Sequence, residues 1–204
     1  FYPDGKEMWK LAEKLEFSVF GTSAKYIDAC RENSISPSKF SNFPKLRSIL
    51  STGSPLIEES FEYIYKHVKK DVHLASISGG TDIISCFALG SPTLEVAKGE
   101  LQCRGLGMDV HSYDENGKPI IGKKGELVCT SAFPSMPVYF WNDSNGLKYK
   151  DAYFSTFSGV WHHGDFIRIS ESGSLKIYGR SDSTLNPGGV RIGTSEIYRV
   201  VNSI

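Results

Sequence analysis

Residues 46–82 read LRSILSTGSPLIEESFEYIYKHVKKDVHLASISGGTD, and the order of patterns inside this stretch decides the fold. Leu46 to Leu50 is a short, largely apolar run that reads as a buried strand, closed by the turn signal Ser51-Thr52-Gly53-Ser54-Pro55. Ile57 to Val68 reads as a helix, and His73 to Ile77 as the next strand, which runs out into Ser78-Gly79-Gly80-Thr81-Asp82. A strand, a helix and a strand in succession predict a layered α/β region with a largely parallel sheet. In such sheets ligands sit at the carboxyl ends of strands, so the loops after Leu50 and Ile77 are the candidate sites.

Upstream, Met8, Leu11, Ala12 and Leu15 fall at helical spacing, and Phe17 to Phe20 alternates as a short buried strand. Ser23 stands as an N-cap before a helix over Ala24 to Arg31, and Ser34 to Pro44 reads as a polar, proline-bearing loop. Downstream, from about Ala97, the pattern changes to short alternating runs: Asp109 to Tyr113, Gly125 to Thr130, Phe166 to Ser170 and Leu175 to Tyr178. Asn116-Gly117, Asn145-Gly146 and Ser172-Gly173 punctuate them as turns. The expectation is an α/β layer over residues 1–96 and a β-rich subdomain, a small barrel or sheet, over 97–179.

The chain has 204 residues, 40% of them hydrophobic and 12% aromatic, enough for a sizeable core and too apolar for a disordered segment. Lys plus Arg and Asp plus Glu both number 23, so no charge excess favours nucleic acid or an anionic membrane as partner. No apolar run approaches the ~20 residues of a membrane span, and no leader pattern is visible. Cys30, Cys86, Cys103 and Cys129 are widely spaced and read as reduced core thiols in a cytosolic setting.

Each glycine-bearing loop admits a chemical reading beside an ordinary turn. Gly53, Ser54 and Pro55 could cradle an anion or line an adenine pocket. Gly79 and Gly80 would let backbone approach a ligand, with the Thr81 hydroxyl for a phosphate oxygen and the Asp82 carboxylate for magnesium. Neither loop matches the Walker or dinucleotide patterns. Asp165, in Trp161-His162-His163-Gly164-Asp165, could accept hydrogen bonds from two vicinal hydroxyls. His162 and His163, adjacent in an extended segment, point opposite ways and make a poor metal pair. Arg180 and Arg191 flank the glycine- and proline-rich segment Ser181 to Val190, which suits a phosphate contact and a hinge.

Taken in order, Gly53-Ser54-Pro55, Gly80-Thr81-Asp82, Gly125-Glu126-Leu127, Gly164-Asp165 and Gly179-Arg180, with Asp182, Asn186, Gly189 and Arg191, resemble the motif series of the adenylate-forming superfamily. Within it, Phe140-Trp141-Asn142-Asp143 through Tyr153-Phe154 to Trp161, Ser76 to Cys86, and Leu185-Asn186-Pro187 are similar to the acetoacetate–CoA ligases. The resemblance implies part of a large N-terminal domain ending near a hinge at Asp182, with residues 180–204 opening a small C-terminal domain. It implies ATP, CoA and Mg2+, with acetoacetate as the acid, in a cytosolic enzyme feeding ketone-body carbon into lipid synthesis. Under it Gly53, Ser54 and Pro55 border the adenine and Gly79 and Gly80 line the nucleotide. Thr81 meets phosphate, Asp82 holds magnesium, Asp165 meets the ribose hydroxyls, and Arg180 the ribose or phosphates, while Gly189 and Arg191 lie toward CoA. It also implies a phosphate loop upstream and a catalytic lysine downstream of this sequence, so the chain by itself is expected to be inactive. A ligase for another short acid, or a nucleotide-binding module without turnover, stays open as an alternative.

Overall fold

The computed structural model describes residues 2–182 and residue 201. It divides into two compact units, one comprising the described residues up to Ser78 together with Gly90–Gln102, the other Gly79–Leu89 and the described residues from Cys103 on.

In the first unit, helix α1 (Glu7–Lys14) buries Trp9 and Ala12 and leads to strand β1 (Val19–Ser23). Phe17 does not join that strand as the sequence reading expects. Its N–H donates to Ala12 O, so it closes the helix, with Glu16 at positive φ turning the chain. Helix α2 (Ala24–Glu32) starts where Ser23 accepts a hydrogen bond from the Tyr26 N–H at 3.1 Å, the N-cap read from sequence. Strand β2 (Ser48–Thr52) begins two residues later than expected, because the Leu46 carbonyl accepts from Lys69 Nζ and the Arg47 N–H from outside the strand ladder bonds Ser18 O. Helix α3 (Glu58–Tyr63) runs on through a π-helical turn over Ile64–Val68 to strand β3 (His73–Ser76).

The three strands form a parallel sheet in the order β1-β2-β3, with Phe20 level with Ile49 and Ile49 with Leu74. Those three side chains, with Trp9, Ile27, Phe61 and Ile64, are fully buried, and Trp9 stacks on Phe20 at 4.5 Å. Each such side chain contributes roughly 1.5–3 kcal/mol by leaving water.

In the second unit, β4 (Ser78–Gly80), β5 (Ser85–Leu89) and β6 (Cys103–Arg104) form one small sheet. Strands β7 (Val110–Tyr113), β8 (Lys124–Cys129), β9 (Trp161–Ile169) and β10 (Leu175–Arg180) form an antiparallel sheet in the order β10-β9-β8-β7. The barrel-like closure expected from the sequence does not occur among the described residues. β10 and β7 stand at opposite margins of this sheet, and about eight strands are what a filled barrel takes. Between β8 and β9 lies a helix, α4 (Leu147–Phe154), that the sequence reading does not contain. Phe87, Phe133 and Trp161 pack edge to face or tilted in this unit's core, centroids 5.4–6.5 Å apart. All four cysteines are free thiols. Among the described residues no helix is long and apolar enough to cross a membrane.

Candidate nucleotide site

Strands β9 and β10 are joined by the turn at Ser172-Gly173, and their antiparallel register sets Arg180 opposite Asp165. A register shift between Ile177 and Gly179 puts them there; an unbroken ladder would offset the pair. Gly164, at φ +79°, is in the left-handed region, and a Cβ on it would lie 2.9 Å from Arg180 Nη2. Glycine there lets the guanidinium lie against the strand.

Arg180 bridges two carboxylates. Its Nε donates to Asp182 Oδ1 at 2.9 Å, Nη2 also engages Asp182, and Nη1 stands 3.7 Å from Asp165 Oδ1. Asp165 is only 8% exposed, and burial pushes its carboxyl up to about 6 although Arg180 pulls the other way. His163, two residues earlier on the same face, is equally buried, and burial pushes its imidazole down to about 4. The ring is therefore neutral near pH 7. Its Nε2 lies 3.8 Å from Asp165 Oδ2, its edge meets Phe87 at 4.7 Å, and its Nδ1 is buried with no partner among the described residues. The neighbouring His162 turns the other way, to Glu126 Oε2 at 2.9 Å.

The loop from Gly79 to Asp82 reaches the same cluster. The Gly80 carbonyl accepts from the N–H groups of Ile83 and Ile84, curling the chain so that Asp82 folds back over Gly80. A Cβ on Gly80 would fall 2.0 Å from Asp82 Oδ1 and 3.0 Å from His163 Cε1, and one on Gly79 only 1.9 Å from the Ser85 carbonyl. The glycine pair thus serves close approach between parts of this chain. Asp82 Oδ1 accepts from the Ile83 N–H at 3.1 Å and Oδ2 from the Tyr153 hydroxyl at 2.7 Å, while Thr81 is exposed beside it.

The structure therefore groups Gly80, Asp82, His163, Asp165, Arg180 and Asp182. Gly53, Ser54 and Pro55 belong to the other unit, in the turn that follows β2, with Gly53 at φ +85°. Gly189 and Arg191 lie outside the described residues. Tyr153 and His163 are the residues that sequence reasoning missed as parts of this cluster. Tyr153 had no signal, because its helix buries no residue.

A magnesium ion fits Asp82 by the chemistry of its donor. Among the described residues no group of three or more potential ligands is gathered. Magnesium asks for less, one or two carboxylates with the rest of its shell from water and substrate phosphate, and the exposed Asp82 supplies one hard oxygen donor.

No protein-family model matches the chain. Solved structures that share its architecture include an acetoacetyl-CoA synthetase and an anthranilate CoA ligase. It superposes on acetoacetyl-CoA synthetase from Streptomyces lividans with a TM-score of 0.90 at 43% identity, covering 100% of this chain and 32% of that one. On the anthranilate CoA ligase AuaEII in complex with anthranoyl-AMP the TM-score is 0.77 at 16% identity, covering 95% and 35%, a likeness of fold alone. The fold is that of part of the N-terminal domain of adenylate-forming enzymes.

The chain is 55% identical over 204 residues to acetoacetyl-coenzyme A synthetase of Rhizobium meliloti (strain 1021), covering 100% of this chain and 31% of that protein. With the Gallus gallus acetoacetyl-CoA synthetase it is 50% identical over 202 residues, 98% of this chain and 30% of that one. It is a homologue of the acetoacetyl-CoA synthetases along its whole length, and it spans about a third of theirs.

Proposed function

We propose that the whole protein is an AMP-forming acetoacetate–CoA ligase and that this chain carries ribose- and phosphate-facing residues of its nucleotide site. In the first half-reaction the acetoacetate carboxylate attacks the α-phosphate of ATP, giving acetoacetyl-AMP and releasing pyrophosphate. In the second the CoA thiol attacks that acyl carbon, giving acetoacetyl-CoA and releasing AMP. The side chains position and neutralise; they do no covalent chemistry.

Asp165, once ionised, accepts from the two ribose hydroxyls, and the facing Arg180 both keeps that carboxylate in place and offers cationic charge to phosphate. Thr81 donates its hydroxyl to a phosphate oxygen. Asp82 would hold magnesium, which when bound neutralises phosphate charge. Asp182, clasped by Arg180, is the hinge of this reading, and Gly189 and Arg191 its CoA contacts. For Gly53, Ser54 and Pro55 the role beside adenine rests on the resemblance. Free thiols and a cytosolic setting belong to the same reading.

The observation that carries it is the buried Asp165 facing Arg180 across β9 and β10, in a chain like acetoacetyl-CoA synthetases from end to end. The test is ATP–pyrophosphate exchange by the full-length protein with acetoacetate, acetate, propionate and no acid. Exchange is expected to be strongest with acetoacetate. Asp165→Asn should raise the KM for ATP roughly ten- to hundredfold, the worth of a charge-assisted hydrogen bond. Exchange led by another acid would discard acetoacetate, and exchange with none would overturn the ligase reading.

A further inference from the structure

Asp82 is exposed, yet its carboxylate is held at both oxygens, Oδ1 by the Ile83 N–H and Oδ2 by the Tyr153 hydroxyl. The Tyr153 end of that bond is rigid. Its ring stacks on Trp161 with centroids 3.6 Å apart and planes 14° from parallel, and Phe140 abuts it edge-on at 5.6 Å. Trp161 is itself buried at the start of β9, the strand that carries His163 and Asp165. A strut therefore runs from core tryptophan to tyrosine to an exposed carboxylate. The Tyr153 hydroxyl is the donor of this pair, and Asp82 Oδ2 the acceptor.

An exposed carboxylate needs no such clamp to satisfy its hydrogen-bonding capacity, since water would do so, and an exposed polar pair adds little to folding stability. What the clamp does is fix direction. Each carboxylate oxygen accepts at about two positions, so one remains on each after the two bonds are made. Those remaining positions share an orientation set by Tyr153 and the Ile83 N–H.

We propose that Tyr153 is a positioning residue that holds the Asp82 carboxylate in the orientation in which it takes a divalent cation carried by the nucleotide. This rests on the reading of Asp82 as the magnesium residue. The geometry adds that the site extends to α4 and that its precision comes from the Trp161 stack. Carboxylates that ligate metals are tuned by hydrogen bonds of this kind, and losing one typically weakens metal binding about tenfold or more.

The experiment uses full-length protein and ATP without acid, so that no turnover occurs. ATP binding is measured by calorimetry while MgCl2 is titrated, and again in EDTA, for the unsubstituted protein, Tyr153→Phe, Asp82→Asn and the double variant. Tyr153→Phe keeps the ring and its stack, and a thermal melt of each variant checks the fold. The expected result is that Tyr153→Phe raises the Mg2+ needed for half-maximal ATP binding about tenfold, leaves binding in EDTA unchanged, and adds nothing on top of Asp82→Asn. If Asp82→Asn shifts the Mg2+ requirement and Tyr153→Phe does not, the positioning role is overturned while the metal reading of Asp82 stands. If Asp82→Asn leaves the requirement where it was, that metal reading falls and the proposal with it.

Discussion

Asp165 and His163 stand two positions apart on β9, and one cause, burial, moves them in opposite directions because it favours the neutral form of each. Native Asp165 keeps its proton up to about pH 6, whereas an ordinary aspartate releases it near 3.8, so unfolding between those values frees a proton and stability falls as pH rises. His163 gives up its proton near 4 when folded and near 6.5 when not, so unfolding there takes one up and stability rises with pH. Each slope integrates to about 3 kcal/mol, and over the shared window they oppose. Asp165→Asn removes one of them. Its stability relative to the unsubstituted protein should therefore grow as pH rises from about 4 to about 6, read as the difference in thermal or urea midpoints. A constant difference across that window would mean that Asp165 titrates as an ordinary carboxylate. The charges of Asp165 and Arg180 were legible in the sequence as residues beside glycines. That they face one another was not, since their pairing depends on the shift between Ile177 and Gly179, which no local pattern encodes.

At the scale of elements, the strand–helix–strand series of the first unit was readable because apolar runs and turn residues alternate there on the lengths of real elements. Helix α4 was not. It has no buried residue and so no apolar stripe, and Asn145-Gly146, read as punctuation, turns out to introduce it. What starts α4 is Asp143, a buried carboxylate whose two oxygens accept from the N–H groups of Lys148 and Tyr149 at 3.1 and 2.9 Å. Those amides would otherwise be unpaired at the helix start. Asp143→Ala should cost about 1–2 kcal/mol in chemical denaturation, the usual value of a capping side chain. A cost near zero would show that α4 is held by its aromatic contacts alone. Strand β9 likewise begins five residues before the run Phe166 to Ser170 picked from sequence, because Gly164 interrupts the alternation without ending the strand.

For the whole molecule, fold class was legible and closure was not. Periodicity reports which face of a strand is buried, while the margins of a sheet depend on which strands arrive beside it. In the parallel sheet β2 is paired on both sides, but β1 and β3 each have one side without a strand among the described residues. β3 is covered, with Leu74, Ala75 and Ser76 all buried, so the outer flank of β1 is the one that offers amide hydrogens and carbonyl oxygens as a template on which another chain can pair its own backbone. Val19, at the start of β1, is 48% exposed and adds a greasy handhold to that flank. Produced by itself at high concentration, the 204-residue chain is thus expected to grow into larger particles, seen as light scattering that climbs with dose, and Val19→Lys should blunt that growth by setting a charge on the flank. The practical consequence is a storage life that shortens as the chain is concentrated.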